Sequence, residues 1–430
     1  MDEVRIDFKH TTGKIKPLHG LNSGPRNSAH GVNNMENYKA AGIPYARLHD
    51  IMYPFGSGHF VDIPCVFSEF DADPENPENY DFRLTDDYLK DITACGTRII
   101  YRLGVSIEHF SKKYHIFPPK DYLQWAKICA GIVRHYTQGW AYGFFYEGMM
   151  WEIWNEPDLH RNMWLGTDEE YFELYVVTAN YLKSCFPDII IGGPAATRCS
   201  EFTRSFLQYL TKDGRKTPLD FFSWHRYSTS PKSFADMAML AKEQLAEFGY
   251  TDTLNMLNEW NYVISWNADD LVKSYQVIES AKGAAFFTAV VCELQASPVD
   301  ISVYYGAEIH QTWSGLFGRY AQPLKTYYAA YAFNQLYRLG GECAIEGLPE
   351  GVYGIAATGG NLCGVLLTNY DSPVREVSID ITGAVGKRAE IMLLDETHNM
   401  EKIAEHLVGK TIKVNIPEDS VVWVRISNDA

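Results

Sequence analysis

Along most of this chain, short runs of apolar, often β-branched residues alternate with longer stretches in which apolar positions recur every three or four residues. The short runs predict strands at Lys14–Leu21, Pro44–His49, Thr97–Gly104, Gly148–Asn155, Asp188–Gly193, Leu219–His225, Thr253–Glu259 and Asp300–Gly306. The longer stretches predict helices at Asn33–Ala41, Thr85–Cys95, Lys120–Gln138, Thr167–Cys185, Ser200–Lys212, Phe234–Phe248, Asp270–Leu294 and Lys325–Leu339. End signals agree: Thr167-Asp168-Glu169-Glu170 reads as a capping box, and Ala41-Gly42-Ile43-Pro44 puts glycine at a helix stop with proline after it. Eight strand–helix pairs predict an α/β fold, a (β/α)8 TIM barrel over residues 14–339. An open doubly wound sheet is the competing architecture, but its glycine-rich first turn is missing.

Beyond Leu339 the period shortens. Val352–Ala357, Leu362–Tyr370, Arg375–Ile381, Ala389–Leu394, Thr411–Ile416 and Ser420–Ile426 alternate apolar and polar positions between Gly, Asn, Asp and Pro. They predict a C-terminal antiparallel β-sandwich. The Val4–Phe8 run is expected to supply an edge strand. The expected division is therefore a barrel over 14–339 and an accessory sandwich made of 1–13 plus 340–430.

Composition narrows the classes. Apolar residues are 46% of the 430, enough for a large core. Lys+Arg 38 against Asp+Glu 54 leaves a net charge of −16, which repels nucleic acid and anionic lipid and suits a neutral or cationic partner. No apolar run approaches the ~20 residues needed to cross a bilayer, and the first residues lack the basic-then-apolar pattern of an export signal. A cytoplasmic protein without nucleic-acid or membrane partners is expected, with a homo-oligomer left open. The eight cysteines are scattered without metal-type spacing, so they are expected to be buried thiols, with no metal and no cofactor. Aromatics, at 14% with 28 Tyr and 10 Trp, supply flat faces for sugar rings as readily as for ordinary cores.

Barrels collect reactive side chains at the C-terminal ends of their strands. The fourth predicted strand ends in Trp154-Asn155-Glu156-Pro157 and the seventh in Asn258-Glu259-Trp260-Asn261. Two carboxylates facing each other across a barrel mouth are the minimum apparatus of glycoside hydrolysis: one stays protonated to donate to the leaving oxygen, the other stays ionised to attack the anomeric carbon. Glu152, on the same strand face as Glu156 by the period of two, is expected deeper in the barrel and hydrogen-bonded. Glu308 is a rival strand-end carboxylate without the flanking Asn or Trp. Trp313, after the eighth strand, is a candidate sugar platform, with Trp260 and Tyr262 beside it.

The string Trp151-Glu152-Ile153-Trp154-Asn155-Glu156-Pro157, together with Asn258-Glu259-Trp260-Asn261, resembles the two catalytic motifs of retaining (β/α)8 glycosidases of clan A. It is most similar to glycoside hydrolase family 39, which includes β-xylosidases and α-L-iduronidases. Arg47-Leu48-His49, Phe222-Ser223-Trp224-His225 and Lys325-Thr326-Tyr327-Tyr328-Ala329 resemble that family too. The resemblance implies Glu156 as acid/base, Glu259 as nucleophile, Asn155 on the sugar 2-hydroxyl and Arg47 keeping the nucleophile ionised. His225 and Tyr227 would orient the glutamates and His49 would touch a sugar hydroxyl. Two departures leave the sugar open: Asp158 stands where the family more often has Asn, and Asn258 where Thr or Ser is frequent.

The expected function is a retaining exo-glycosidase acting on short neutral oligosaccharides, first of all of β-xylosidase type. The long segment from Asp50 to Tyr80 is expected to wall one side of a pocket. An α-L-arabinofuranosidase or α-L-iduronidase type, an inactive carbohydrate-binding barrel and a metal-dependent hydrolase are the competing readings. The last lacks a His-x-His on the first strand, and the iduronidase type fits the acidic surface poorly.

Overall fold

A computed structural model describes residues 3–28, 31–51, 58–309, 312–384 and 386–427. Eight parallel strands close into a barrel: β1 (Gly20–Asn22), β2 (Tyr45–Leu48), β3 (Arg98–Leu103), β4 (Met150–Ile153), β5 (Ile190–Ala196), β6 (Phe221–Tyr227), β7 (Leu254–Asn261) and β8 (Ile301–Tyr304), with β8 pairing both β7 and β1. Helices cover the outside. The expected TIM barrel is the fold.

The pleat sorts the interior into layers. Tyr45, Ile100, Met150, Phe221, Met256, Ile301 and Val303 form an apolar plug inside the barrel. Two residues further along their strands come Arg47, Arg102, Glu152, Ser223 and Asn258, all fully buried. Buried charge at that level must be paired, because an isolated ion in a low-dielectric interior is severely destabilised. Arg47 accordingly meets Glu152 at 2.7 Å and Arg102 meets Asp62 at 2.5 Å.

Several elements differ from the sequence expectation. Lys14 does not begin β1: Gly13–Lys14 pairs with Gly341–Cys343 of the C-terminal region, and the barrel strand starts at Gly20. The long helix expected over Asp270–Leu294 is two helices, Ala268–Ile278 and Ala281–Ala296, because Ser280 is extended and the Ala281 amide donates to Glu396 Oε1 at 3.0 Å. Asp50–Tyr80 is no structureless loop. Residues 52–57 lie outside the described residues, but Ile63–Val66 is helical, Phe60, Val61, Val66 and Phe67 are buried, and Asp62 is tied to Arg102 and Ser106. Cys65 and Cys185 are exposed, not buried; all eight thiols are free.

The C-terminal region contains a seven-stranded and a four-stranded sheet around a core that includes Ile6, Val365, Ile379, Ile391, Val414 and Val424. Glu3–Asp7 is not at an edge. It lies inside the four-stranded sheet, parallel to Glu376–Thr382 and antiparallel to Ile345–Glu346, so that sheet is mixed. The sequence pattern also misses Asn399–Leu407, an edge strand exposed along most of its length and therefore without apolar alternation. The seven-stranded sheet packs on helices Ala281–Ala296 and Lys325–Leu339, and Leu366, Tyr370 and Trp423 belong to the same continuous core as the barrel. Lys325 fastens the junction through Nζ, which donates to the carbonyls of Glu396 and His398 at 3.0 and 3.2 Å and to Asn399 Oδ1 at 2.9 Å.

Candidate active site

The mouth of the barrel is shaped by departures from regular strand geometry. At β7 the register against β6 slips by one residue between Trp224 and His225, so Leu257 faces Trp224 and Glu259 faces His225. Asn258 is the extra residue of a bulge. Asn258 and Glu259 both reach the interior as a result, which a period of two would forbid. Asn258 Nδ2 donates to Glu152, and Glu259 stands above it. At β4 the strand stops at Ile153, and Trp154 and Glu156 take left-handed backbone angles, φ 70° and 42°. Such angles cost a non-glycine residue about 1 kcal/mol or more. They are held by the Trp154 amide on Leu103 O, the Trp154 indole on Met163 O and the Glu156 amide on Ala195 O, each at 2.9 Å. Glu156 is thus aimed by a turn, not by the pleat it was expected to share with Glu152. Glu152 lies deeper and is fully hydrogen-bonded, as expected.

The two glutamates converge. Glu156, Glu259 and His225 present ligand atoms all within 4.8 Å of one another. His225 Nδ1 is 2.8 Å from Glu156 Oε1 and 3.8 Å from Glu259 Oε2. Burial holds His225 below its ordinary pKa, so the ring is neutral. Arg47 is the hub beneath them: Nε donates to Glu152 Oε2 at 2.7 Å, Nη1 to Glu259 Oε2 and to Asn22 Oδ1 at 3.0 Å each, and Nη2 to Asn155 Oδ1 at 2.5 Å. Tyr227 OH donates to Glu259 Oε1 at 2.7 Å.

These partners divide the two acids. Burial, with the nearby charges of Asp158 and Asp50, pushes Glu156 up to about 8 against the pull of Arg47. Glu259 is also raised by burial and by the neighbouring Glu156, but the Arg47 guanidinium and the Tyr227 hydroxyl pull it back. A carboxylate with a guanidinium at 3.0 Å and a phenol at 2.7 Å is the one that carries the negative charge. Among the described residues this trio is the one group able to reach a metal ion, and Arg47 already supplies its positive charge.

The structure thus brings together Glu156, Glu259, Asn155, Arg47, His225 and Tyr227. His49 is buried beside them, 3.3 Å from Asp50 Oδ2, and burial together with Arg47 and Arg102 keeps it neutral. Trp313 is on the rim, its ring 5.5 Å from that of Tyr227. Trp260 is not at the mouth. As the neighbour of Glu259 it points out of the barrel, fully buried against Phe234, Phe287 and Tyr304, with its indole on Ser302 Oγ. Tyr262 packs on Phe286. Glu308 is ion-paired with Arg26. Sequence reasoning missed Asn22, Trp266 and Tyr305, the last of which, just past β8, donates its OH to Asp50 Oδ2 at 3.5 Å. Asn22 ends β1 and receives Arg47, a partnership across strands with no local signal. Trp266, 62% exposed, stands 5.2 Å from Tyr227 and 5.9 Å from Trp313. An isolated tryptophan in a polar turn is the signal that was available.

A closed eight-stranded barrel with a buried, close carboxyl pair at the C-terminal ends of β4 and β7 defines a barrel of the paired-glutamate class. The chain belongs to the glycosyl hydrolases family 39, which matches residues 30–346. A beta-xylosidase of Geobacillus stearothermophilus is 32% identical over 189 residues, 41% of this chain and 36% of that protein. One from Caldicellulosiruptor saccharolyticus is 32% identical over 166 residues, 37% and 31% of the two chains. The match therefore spans about a third of the length of these relatives. In fold, the chain is similar over 100% of both chains to a glucosidase from Croceicoccus marinus, with TM-score 0.82 at 20% identity. It is also similar to the GH39 enzyme from Xanthomonas axonopodis pv. citri, with TM-score 0.75 at 16% identity over 99% of this chain and 97% of that one.

Proposed function

We propose that this chain is a retaining glycoside hydrolase of β-xylosidase type that removes terminal units from short neutral oligosaccharides. The observation that carries the reading is the approach of Glu156 and Glu259 oxygens within 4.8 Å. An approach this close is nearer to the ~5–5.5 Å of retaining pairs than to the about 6.5–9.5 Å at which inverting enzymes admit a water between their carboxyls, and it suits a direct attack by one of them. Glu259 attacks the anomeric carbon while Glu156 gives its proton to the departing glycosidic oxygen, leaving a sugar ester on Glu259. Glu156, now ionised, takes a proton from water; the water oxygen bonds to the same carbon and frees Glu259. Asn155 fixes its oxygen on Arg47 and, among the described residues, its buried Nδ2 has no partner, a donor suited to the sugar 2-hydroxyl. His225 and Tyr227 orient the glutamates, His49 offers to a hydroxyl a ring nitrogen that has no partner among the described residues, and Trp313 forms an apolar rim. The sugar preference follows the two beta-xylosidase relatives and the net charge of −16, which disfavours an acidic substrate. In this reading the catalytic unit is 14–339, and 1–13 plus 340–430 form the accessory unit.

A panel of p-nitrophenyl glycosides tests the proposal, with NMR of the first-formed sugar. Turnover of the β-D-xyloside with the β-anomer appearing first is expected. Turnover confined to an α-L-arabinofuranoside, or an inverted product, would overturn it. Glu259→Ala should lose at least about 10³-fold in kcat and recover part of it with azide. Glu156→Ala should retain far more of its first-step rate on good leaving groups than on poor ones. Parent-like rates for either variant would move that role elsewhere.

A further inference from the structure

Trp266 is exposed at the mouth of the barrel, and no step above uses it. The turn that carries it is nonetheless firmly built. Ser265 Oγ donates to Asp270 Oδ2 at 2.8 Å, and Asn267 Nδ2 donates to the same oxygen at 2.9 Å and to Ser265 Oγ at 2.7 Å. The Asp270 amide donates to Asn267 Oδ1 at 2.9 Å, and the Ile264 amide to Ser274 Oγ at 3.0 Å. Both chain neighbours of Trp266 are thereby tied to the first turn of helix Ala268–Ile278. An indole left in water forgoes what burial would contribute, so one held outward by a braced turn suits a flat, partly apolar partner.

The groups at the mouth form a series from inside to outside. Glu259, buried, accepts the Tyr227 hydroxyl at 2.7 Å. The half-buried ring of Tyr227 lies 5.5 Å from that of Trp313, also half-buried, and 5.2 Å from that of Trp266. Trp266 meets Tyr227 at 73° and Trp313, 5.9 Å away, at 47°, so neither ring lies parallel on the indole and covers a whole face. Asn155 and His49, the groups offered to the first sugar, are buried at the inner end. When a chain end enters such a mouth, its first unit fills the buried end and its second emerges beside the exposed ring.

We propose that Trp266 is the platform for the second sugar, the unit that leaves, and that it makes the enzyme favour oligosaccharides over glycosides with a small leaving group. This rests on the exo-acting reading above. The C–H face of a pyranose packs on an indole while the hydroxyls at its edge stay in water. Because the turn is already braced, little freedom is lost when the sugar arrives.

The test compares kcat/KM on xylotriose with kcat/KM on β-D-xylopyranosyl fluoride, whose leaving group has no ring. Trp266→Ala is expected to lose about tenfold on xylotriose and no more than about threefold on the fluoride. Trp266→Phe, which keeps a flat face, is expected to stay within about threefold of the parent on xylotriose. The ratio of the two constants does not depend on how much of a variant is folded, so a poorly folding variant still reports. Equal losses on both substrates, the mark of a ring that merely supports Tyr227, overturn the proposal. So does an unchanged constant on xylotriose, or a loss in Trp266→Phe as large as in Trp266→Ala. Should the parent turn over another sugar in the glycoside panel, the xylosidase reading fails by itself. The same ratio is then taken with the fluoride and trisaccharide of that sugar, so the two failures are read apart.

Discussion

At the scale of single residues, two glutamates of identical intrinsic chemistry are separated by what touches them. Glu259 has a guanidinium at 3.0 Å and a phenol at 2.7 Å, whereas Glu156 meets a neutral imidazole at 2.8 Å. That difference has a consequence for stability. Glu156 titrates near 8 when folded, against 4.5 for an ordinary glutamate, so the unfolded chain gives up this proton first. Below about pH 4.5 both states hold the proton and nothing is lost; as pH rises towards 8 the unfolded state gains. Glu156→Gln should therefore stabilise the protein at pH 7 by about 1–3 kcal/mol and change little at pH 4. Urea titrations at the two pH values check this, and an equal effect at both would contradict it. Much of the site was legible at this scale. Asn-Glu after one strand and Asn-Glu after another are local strings, and the roles suggested for Arg47, His225 and Tyr227 came with the family resemblance. Asn22, Tyr305 and Trp266 carried no such string. Trp260 misled because adjacency to Glu259 in sequence means the opposite face of the strand.

At the scale of elements, end signals were the most reliable guide. The capping box at Thr167 is formed in full, with Glu170 N–H on Thr167 Oγ1 and the Thr167 amide on Glu170 Oε2 at 2.7 Å. Thr167→Ala should cost about 1 kcal/mol, read as a lower urea midpoint with unchanged m-value. No loss would mean that packing alone holds that helix start. Elements whose signal depends on partners were misread. Asp270–Leu294 looks continuous because its apolar positions run through residues 279 and 280, yet a side chain from the C-terminal region, Glu396, caps a second helix there. Asn399–Leu407 has no regular apolar alternation, only Met400 and Ala404 being half-buried; its partner Arg388–Leu394 makes it a strand. The β7 bulge leaves no mark on the sequence, although it is what turns Glu259 inward.

At the scale of the whole molecule, the barrel and the C-terminal sheets are not joined by a tether. Glu3–Asp7 is interior to the four-stranded sheet, and Trp423 and Leu366 share a core with the helices of the barrel. Both ends of the chain therefore close one structure around the barrel between them. A single cooperative transition is expected in calorimetry, and Trp423→Ala, which opens a cavity in the shared core, should lower it by about 3–5 kcal/mol. Two resolved transitions, with only one of them moved by the variant, would show the two parts to be energetically separate.

By itself the sequence determined the alternation that makes a barrel, the sandwich that follows it and the two strand ends bearing glutamates, because periodicity and terminal motifs are local properties of a chain. The tertiary structure alone decided how close those glutamates come, which of them keeps its proton and which aromatic reaches the rim. Separation, burial and a partner's charge are set by residues far apart in sequence. A one-residue bulge or a left-handed turn is enough to change all three.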